Sequence, residues 1–547
     1  MAKKTKNVDQ KSNVCDVSNV LEKFGKYQVI QFVLLCLPAV FINMININYI
    51  FIAGDLNYRC RIPECEGLNT TYEVNWWPNA SIDRCLRPVV RGDVHGSCTN
   101  ESFSGELEEC MEWVYETNNT VIAELNLGCR PWLSNLIGTI HNSGMLISMI
   151  ISGWMSDRFG RKPTLIFCIV FGFIGQLKTL ATSYYMYVGI EFIEAAVTGG
   201  SYSPAMMLML EICGKQNRLM AGVVFSYAIY LGECLFAILA MFIPYWKTLI
   251  HIINAPSIFF ISYIFLIRES PRWQILNGKA EKAKETILIV AEMNKININR
   301  QELSELDEVK LKNKFNIAAH EKREGMRAIL TSKEIMKRLL VAVVCRFTAS
   351  FVYYGMMINS VFLPGDKYTN FLLQTVMSFP GELISLYLMN KIGRKMPLLA
   401  GFLICGVLCV STGYVPARYT WVKILLFLIG KMLISMCFTG ALTYIMELFP
   451  TSARGSLLGF GAFASKFAGM LAPLTPILNP ISEALPSILF GCSALISSIL
   501  LTLTPETKEL PLMDTIRQVE DSVRSAKELK KNVAIDNPAG SDVMTSA

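Results

Sequence analysis

Charge is what this sequence has little of. Asp, Glu, Lys and Arg make up 17% of its 547 residues, where an ordinary soluble domain carries roughly 25%. A water-soluble chain of this length divides into several domains, each with a polar shell, and there is too little charge here to coat them. Histidine is scarcer still: His95, His141, His251 and His320 are the four in the chain. There is no clustered metal-ligand or nucleophile motif, which argues against an enzyme, and no nucleotide-binding motif to suggest ATP drive; no cofactor or metal is expected. No signal-peptide pattern precedes the first apolar run, where the chain is polar and lysine-rich, so that run is expected to be a retained span. Disordered, collagenous and small disulfide-rich classes are excluded by composition.

What the chain does have is apolar sequence, 52% of the residues, gathered in blocks of the length that crosses about 30 Å of hydrocarbon. The blocks fall near 28–53, 136–155, 164–181, 186–210, 220–243, 248–267, 339–361, 368–389, 397–415, 421–446, 456–478 and 484–504. The expectation is an all-α polytopic membrane protein of twelve transmembrane helices. An N-terminal half (28–267) and a C-terminal half (339–504) flank a mixed-charge linker (268–338) with helical periodicity from Trp273 to Met293. A polar stretch at 1–27 and a polar tail at 505–547 complete the chain, and the tail beyond about 512 is expected to be mobile.

Orientation is read from loop lysines and arginines. Lys3, Lys4, Lys6, Lys11, Lys23 and Lys26 precede the first span, and Arg158, Arg161, Lys162, Lys215, Arg218, Lys391, Arg394 and Lys395 lie in the even-numbered turns. Both termini are therefore expected in the cytoplasm, with the plasma membrane as the location. The long loop at 54–130 agrees. It contains the four Asn-x-Ser/Thr sequons, at Asn69, Asn79, Asn100 and Asn118, and six of the sixteen cysteines, Cys60, Cys65, Cys85, Cys98, Cys110 and Cys129. An even cysteine set beside glycosylation acceptors reads as a disulfide-stapled extracellular loop, with 15 pairings open. The loop holds 6 basic and 13 acidic residues, so its net charge of −7 leaves +14 on the remainder of a chain whose total is +7. The basic balance is thus topological and calls for a bilayer, with no need for nucleic acid.

The two groups of spans repeat. Asp157-Arg158-Phe159-Gly160-Arg161-Lys162 after span 2 returns as Asn390-Lys391-Ile392-Gly393-Arg394-Lys395 after span 8, displaced by 233 residues. Glu211 and Arg218 after span 4 return as Glu447 and Arg454, displaced by 236, and Glu269, before Arg272, returns as Glu506, displaced by 237. Three matches at nearly one period indicate a duplicated six-helix unit. Acids beside arginines can link helices by charge-assisted hydrogen bonds. Here they are expected to hold the halves together on the inner side and to break on inward opening.

These residues resemble the major facilitator superfamily, whose loop 2–3 signature matches Gly153, Asp157, Arg158, Gly160, Arg161 and Lys162. More narrowly, the chain resembles the organic cation/anion/carnitine transporter family of solute carriers. The glycosylated Cys-rich loop, Glu269-Ser270-Pro271-Arg272-Trp273, Glu447-Leu448-Phe449-Pro450-Thr451 and Pro505-Glu506-Thr507-Lys508 carry that resemblance. It implies alternating access, with the halves rocking around a central site. Asn390 departs from the first-half Asp157, which implies a weaker lock there. Glu191 and Glu194 stand in span 4 where many members of the superfamily have Arg and Gln.

Charges within spans are expensive and face a cavity or a partner. Lys466, mid span 11, lies too deep to snorkel. By the resemblance, this position is acidic in cation carriers and basic in anion and carnitine carriers. Glu233 in span 5 and Glu382 in span 8 are the carboxylates expected to pair with Lys466 or to meet substrate. Tyr353 and Tyr354 in span 7 and Tyr227 and Tyr230 in span 5 offer rings and hydroxyls for an organic ion. Asn43 with Asn46 in span 1, and Asn142 in span 2, add hydrogen-bonding capacity. His141 is weighed as a proton site against an interhelical hydrogen bonder, and Arg346 as an anion contact against the favoured role of a gate residue paired with an acid. The expected function is transport of small organic anions or zwitterions, carnitine-like in charge. The alternatives are an organic cation or amine carrier, and a non-transporting sensor on a transporter scaffold.

Overall fold

The computed structural model describes residues 20–67, 70–77, 83–91, 98–99, 102–214, 217–315, 326–450, 452–508, 515–522 and 524. Its frame is a bundle of long helices: α1 (Lys26–Ile52), α2 (Pro131–Phe159), α3 (Arg161–Leu180), α4 (184–212), α5 (Arg218–Phe242), α6 (Trp246–Leu266), α7 (Lys333–Phe362), α8 (Lys367–Lys391), α9 (Lys395–Tyr414), α10 (Thr420–Leu448), α11 (Arg454–Leu478) and α12 (Leu485–Leu501). Ten of these are long and apolar enough to cross a membrane; α4 is not among the ten, and α12, with 17 residues, is shorter. Length and composition alone therefore stop short of the expected twelve crossings, although a helix occupies every expected position.

Local chemistry sets the helix ends. Pro131 opens α2, where its missing N–H costs nothing. Ser183 caps α4 by accepting from Met186 N at 3.3 Å, and Asp366 caps α8 by accepting from Thr369 N at 2.8 Å. Several helices outrun their apolar blocks. α7 begins six residues before the expected start, and its extra turn holds an Arg338–Glu334 ion pair at 3.3 Å. Hydropathy registers only the lipid-like part of a helix, whereas backbone hydrogen bonding continues into polar turns.

The six loop cysteines pair as Cys60–Cys110, Cys65–Cys98 and Cys85–Cys129. They staple two small antiparallel ribbons, β1 (Tyr58–Cys60) with β4 (Trp113–Tyr115), and β2 (Leu86–Val90) with β3 (Phe103–Glu109). Asn118 is exposed; the acceptors Asn69, Asn79 and Asn100 lie outside the described residues.

At the opposite face, the linker folds into short helices including Pro271–Leu276 and Ala280–Met293. Asn294 ties it to the start of α1, accepting from Tyr27 N at 2.9 Å and donating to Gln28 Oε1 at 2.9 Å. The tail departs from expectation. Residues 516–522 are helical, Ile516 and Val519 are buried, and Ser332 Oγ donates to Glu520 at 2.5 Å. Two apolar residues one turn apart give an otherwise polar segment a docking face, which composition averaging hides.

Candidate functional site

α1 to α6 and α7 to α12 enclose a central cavity of about 420 Å³. The first set contributes Asn43, Asn142, Tyr230 and Glu233 to its wall; the second contributes Tyr353, Tyr354, Phe438, Thr439 and Lys466. Asn43 is held in place, donating to Ile229 O at 2.9 Å and accepting from Tyr202 Oη at 3.0 Å. Asn142 donates to Gly138 O at 2.8 Å and to Tyr49 Oη at 3.4 Å. The Tyr353 ring stacks on Phe438 at 5.0 Å and meets Tyr354 edge-on at 5.4 Å.

Cations crowd this aromatic group. Lys431 Nζ sits 3.3 Å from the Tyr353 ring centroid and donates to Tyr353 O at 3.1 Å. Arg346 lies over Phe438 at 5.0 Å and donates to Phe438 O at 2.8 Å and to Ser465 Oγ at 3.3 Å. Glu233 lies beside Asn43, Thr375 and Tyr353, with Lys431 the cation acting on it, and its Oε2 is buried without a hydrogen-bond partner. Lys466 is partly exposed to the cavity. Among the described residues no carboxylate lies within ion-pair distance of it, and the charge that acts on it is Arg346.

A second cavity, of about 560 Å³, lies toward the disulfide-bonded loop. Tyr49 lines both. Between them the two sets of helices close tightly. A Cβ on Gly138 of α2 would come within 2.7 Å of the Tyr49 ring and 2.9 Å of Pro473 of α11. Side by side with this closure, α1 and α8 meet through Phe51 and Phe371 at 5.1 Å, and Tyr230 of α5 donates to Glu382 of α8 at 3.4 Å.

At the face opposite the disulfides the repeated motif builds the same device twice. Gly160 has φ +118° and Gly393 φ +141°, values that favour glycine. A carboxylate fills the space a side chain would take: Glu269 lies 2.3 Å from a Cβ placed on Gly160, and Glu506 lies 2.8 Å from one on Gly393. Glu269 accepts from Lys162 N at 3.1 Å and from Ser270 N at 2.9 Å; Glu506 accepts from Arg394 N at 2.8 Å and Lys395 N at 2.9 Å. Arg161 reaches Asp157 at 3.3 Å and Glu211 at 3.4 Å, while Arg394 reaches Glu447 at 3.2 Å. Burial pushes the Glu269 carboxyl above the ordinary range. Burial acts upward on Glu506 as well, but backbone N–H groups of Arg394, Lys395, Lys508 and Thr507 outweigh it and hold that carboxyl below the ordinary range.

The comparisons with known proteins meet this geometry. Residues 99–518 match the family model described as "Sugar (and other) transporter". The chain belongs to this family, within the major facilitator superfamily. It is 31% identical to "Organic cation transporter protein" of Drosophila melanogaster, over 92% of this chain and 94% of the relative. It is 27% identical to "Solute carrier family 22 member 3" of Mus musculus, over 91% and 94%, and 27% identical to "Solute carrier family 22 member 2" of Homo sapiens, over 94% and 97%. Among solved structures, the inward-open xylose transporter XylE from E. coli shares the fold, with a TM-score of 0.55 at 18% identity over 70% of this chain and 88% of that one. The resemblance to the organic cation/anion/carnitine family is thereby confirmed, and the protein is a multi-pass membrane transporter of the solute carrier family 22 type.

Within that transporter the expected site residues divide. Lys466, Tyr353, Tyr354, Tyr230, Glu233, Asn142 and Asn43 converge on the central cavity. Tyr227 does not; its hydroxyl donates to Phe379 O at 3.3 Å, across the α5–α8 contact. Glu382 lies behind the wall, accepting from Thr439 at 2.6 Å and from Tyr230. Neither glutamate pairs with Lys466, and Arg346 meets a carbonyl and a serine in place of an acid; helical phase, which places a side chain around its axis, separates them. The motif networks also lie within each half, so they brace α2 to α4 and α8 to α10 where a bond between halves was expected. Arg218 and Arg272 are exposed and Arg454 donates to Phe449 O at 3.1 Å; among the described residues none of the three forms an ion pair with the acid near it in sequence. Arg158 stacks on Trp154 at 5.5 Å. Arg394 does not lack a carboxylate for having Asn390, since Glu447 supplies one. Two buried lysines were missed: Lys431 in α10, findable by the mid-span rule that singled out Lys466, and Lys178 in α3, which reads as a snorkelling residue near a span end.

Proposed function

We propose that the protein carries small organic anions or zwitterions across the plasma membrane by alternating access, with the disulfide-bonded loop outside and both termini in the cytoplasm. The observation that carries the substrate class is Lys466, open to the central cavity with Arg346 as its charged neighbour and, among the described residues, no carboxylate within ion-pair distance. A cation facing a low-dielectric cavity gains most from a ligand that brings an opposite charge. The carboxylate or sulfonate end of a substrate supplies it. Glu233, whose Oε2 has no partner, offers the opposite pole for an ammonium group. The Tyr353 face is less available to such a group, because Lys431 already lies over it.

A second reading, a carrier of organic cations or amines, draws on the name of the Drosophila relative and on Glu233. Radiolabelled uptake of an anion, a cation and a zwitterion separates the two. Lys466→Ala is expected to lower anion or zwitterion uptake at least ten-fold, roughly 1.4 kcal/mol of binding, and to leave cation uptake unchanged or raised. Cation uptake in wild type that falls with Glu233→Gln and ignores Lys466→Ala would establish the second reading. Reconstituted protein that binds a ligand yet shows no saturable flux of any of the three would make it a sensor.

A further inference from the structure

Away from the central cavity, α2, α3 and α4 bury four ionisable side chains against one another. Lys178 Nζ lies 2.9 Å from Glu191 Oε2 and 2.5 Å from Glu194 Oε2. Glu191 Oε1 lies 2.7 Å from His141 Nδ1. None of the four has any exposed surface. With both carboxylates ionised and the imidazole neutral, the group carries one more negative charge than positive. An uncompensated charge in such a place costs several kcal/mol or is neutralised by a proton. Among the described residues the surroundings supply no other compensation. α1 presents the Tyr49 phenol, α4 itself the Tyr187 phenol, and α6 the neutral amide of Asn254. Lys466 of α11, which packs on α2, opens into the central cavity instead.

Two atoms of the cluster are positioned to hold that proton. His141 Nε2 and Glu194 Oε1 are both buried without a hydrogen-bond partner among the described residues. His141 is the member of the cluster whose ring meets a residue of the transport path. The His141 ring packs 5.5 Å from Tyr49, the residue that lines the central and outer cavities and seals them against Gly138 and Pro473. Tyr49 and Pro473 close on each other beside Gly138, so a separation of the two sets of helices there would act on the ring that His141 packs against.

We infer that the His141–Glu191–Lys178–Glu194 cluster is a proton-binding site, that it takes up one proton on His141 Nε2 or Glu194, and that Tyr49 links its loading and release to alternation of the two cavities. No bond other than to hydrogen changes: the proton comes from water in one cavity and returns to water in the other. The inference rests on the transport reading and makes the carrier proton-coupled.

The test uses the full-length protein in liposomes containing a pH-sensitive dye, without an imposed membrane potential. Addition of a transported substrate is expected to change internal pH in proportion to uptake, the sign distinguishing co-transport from exchange. An imposed gradient of one pH unit is expected to change accumulation up to about ten-fold. Glu194→Gln, which makes the cluster neutral without an added proton, is expected to retain substrate counterflow while losing both proton signals. Saturable uptake by wild type with no pH change and no response to the gradient would overturn the proposal while leaving the transport reading intact. A requirement for sodium in place of the gradient would overturn it too. Absence of saturable uptake for every probe defeats the transport reading and, with it, this one.

Discussion

Lys178 shows how a single side chain can be indispensable without touching a substrate. Its ammonium is, among the described residues, the one lysine or arginine within ion-pair distance of Glu191 and Glu194, and all three are sealed from solvent. Removing one member of a buried ion pair strands its partners and costs about 3–5 kcal/mol. Lys178→Met is therefore expected to lower the thermal unfolding midpoint of detergent-purified protein sharply. Combining it with Glu194→Gln and Glu191→Gln, which leaves no charge in the cluster, is expected to recover much of the loss. Equal instability of the single and triple variants would show that the lysine acts by packing alone. Lys466 differs in the same terms. It has a cavity on one side and no stranded carboxylate, so Lys466→Ala is expected to cost substrate and spare the fold, as an unchanged midpoint beside the lost uptake would show.

Among the elements, the turn between α2 and α3 and the turn between α8 and α9 are tightly constrained. Each needs a glycine twice over, for its positive φ and for the carboxylate that occupies the side-chain space. Gly160→Ala and Gly393→Ala are each expected to cost about 1–3 kcal/mol through backbone strain, because both glycines have φ in the left-handed region. Thermal midpoints of the two variants check this, and a midpoint equal to wild type for either would contradict it. The motif was legible as a repeat because its residue types and spacing recur at one period. Its use was not legible: pairing depends on which helix ends lie together, and Arg161 and Arg394 choose Glu211 and Glu447 from a neighbouring helix over any acid in a following turn.

Across the whole molecule the two halves are alike in topology and unlike in electrostatics. Glu269 binds a proton more tightly in the folded state, so what it adds to stability is present at acid pH and lost as pH rises through its raised value. Glu506 is depressed, so its contribution is present above the ordinary carboxylate range and lost as pH falls through its lowered value. Glu269→Gln is thus expected to unfold at or above the wild-type temperature near neutral pH, with the difference vanishing toward about pH 4. Glu506→Gln is expected to unfold below wild type at neutral pH, with a deficit that closes only at still lower pH. Midpoints recorded as a function of pH decide the point, and parallel curves for the two variants would refute it.

Much of this protein was determined by the sequence by itself. The apolar blocks, the charge asymmetry, the clustered cysteines and the six-helix repeat follow from composition along the chain, because a bilayer sorts residues by polarity in one dimension. Family membership followed from motifs that are local strings. Tertiary structure alone decided which buried charges meet. Glu233 is influenced by Lys431 and not Lys466, Glu382 turns behind Tyr230, and His141 joins Lys178 and two glutamates in a cluster that no spacing announced. Coulomb energy and desolvation act across helices at a few ångströms, and helix rotation and packing set those distances.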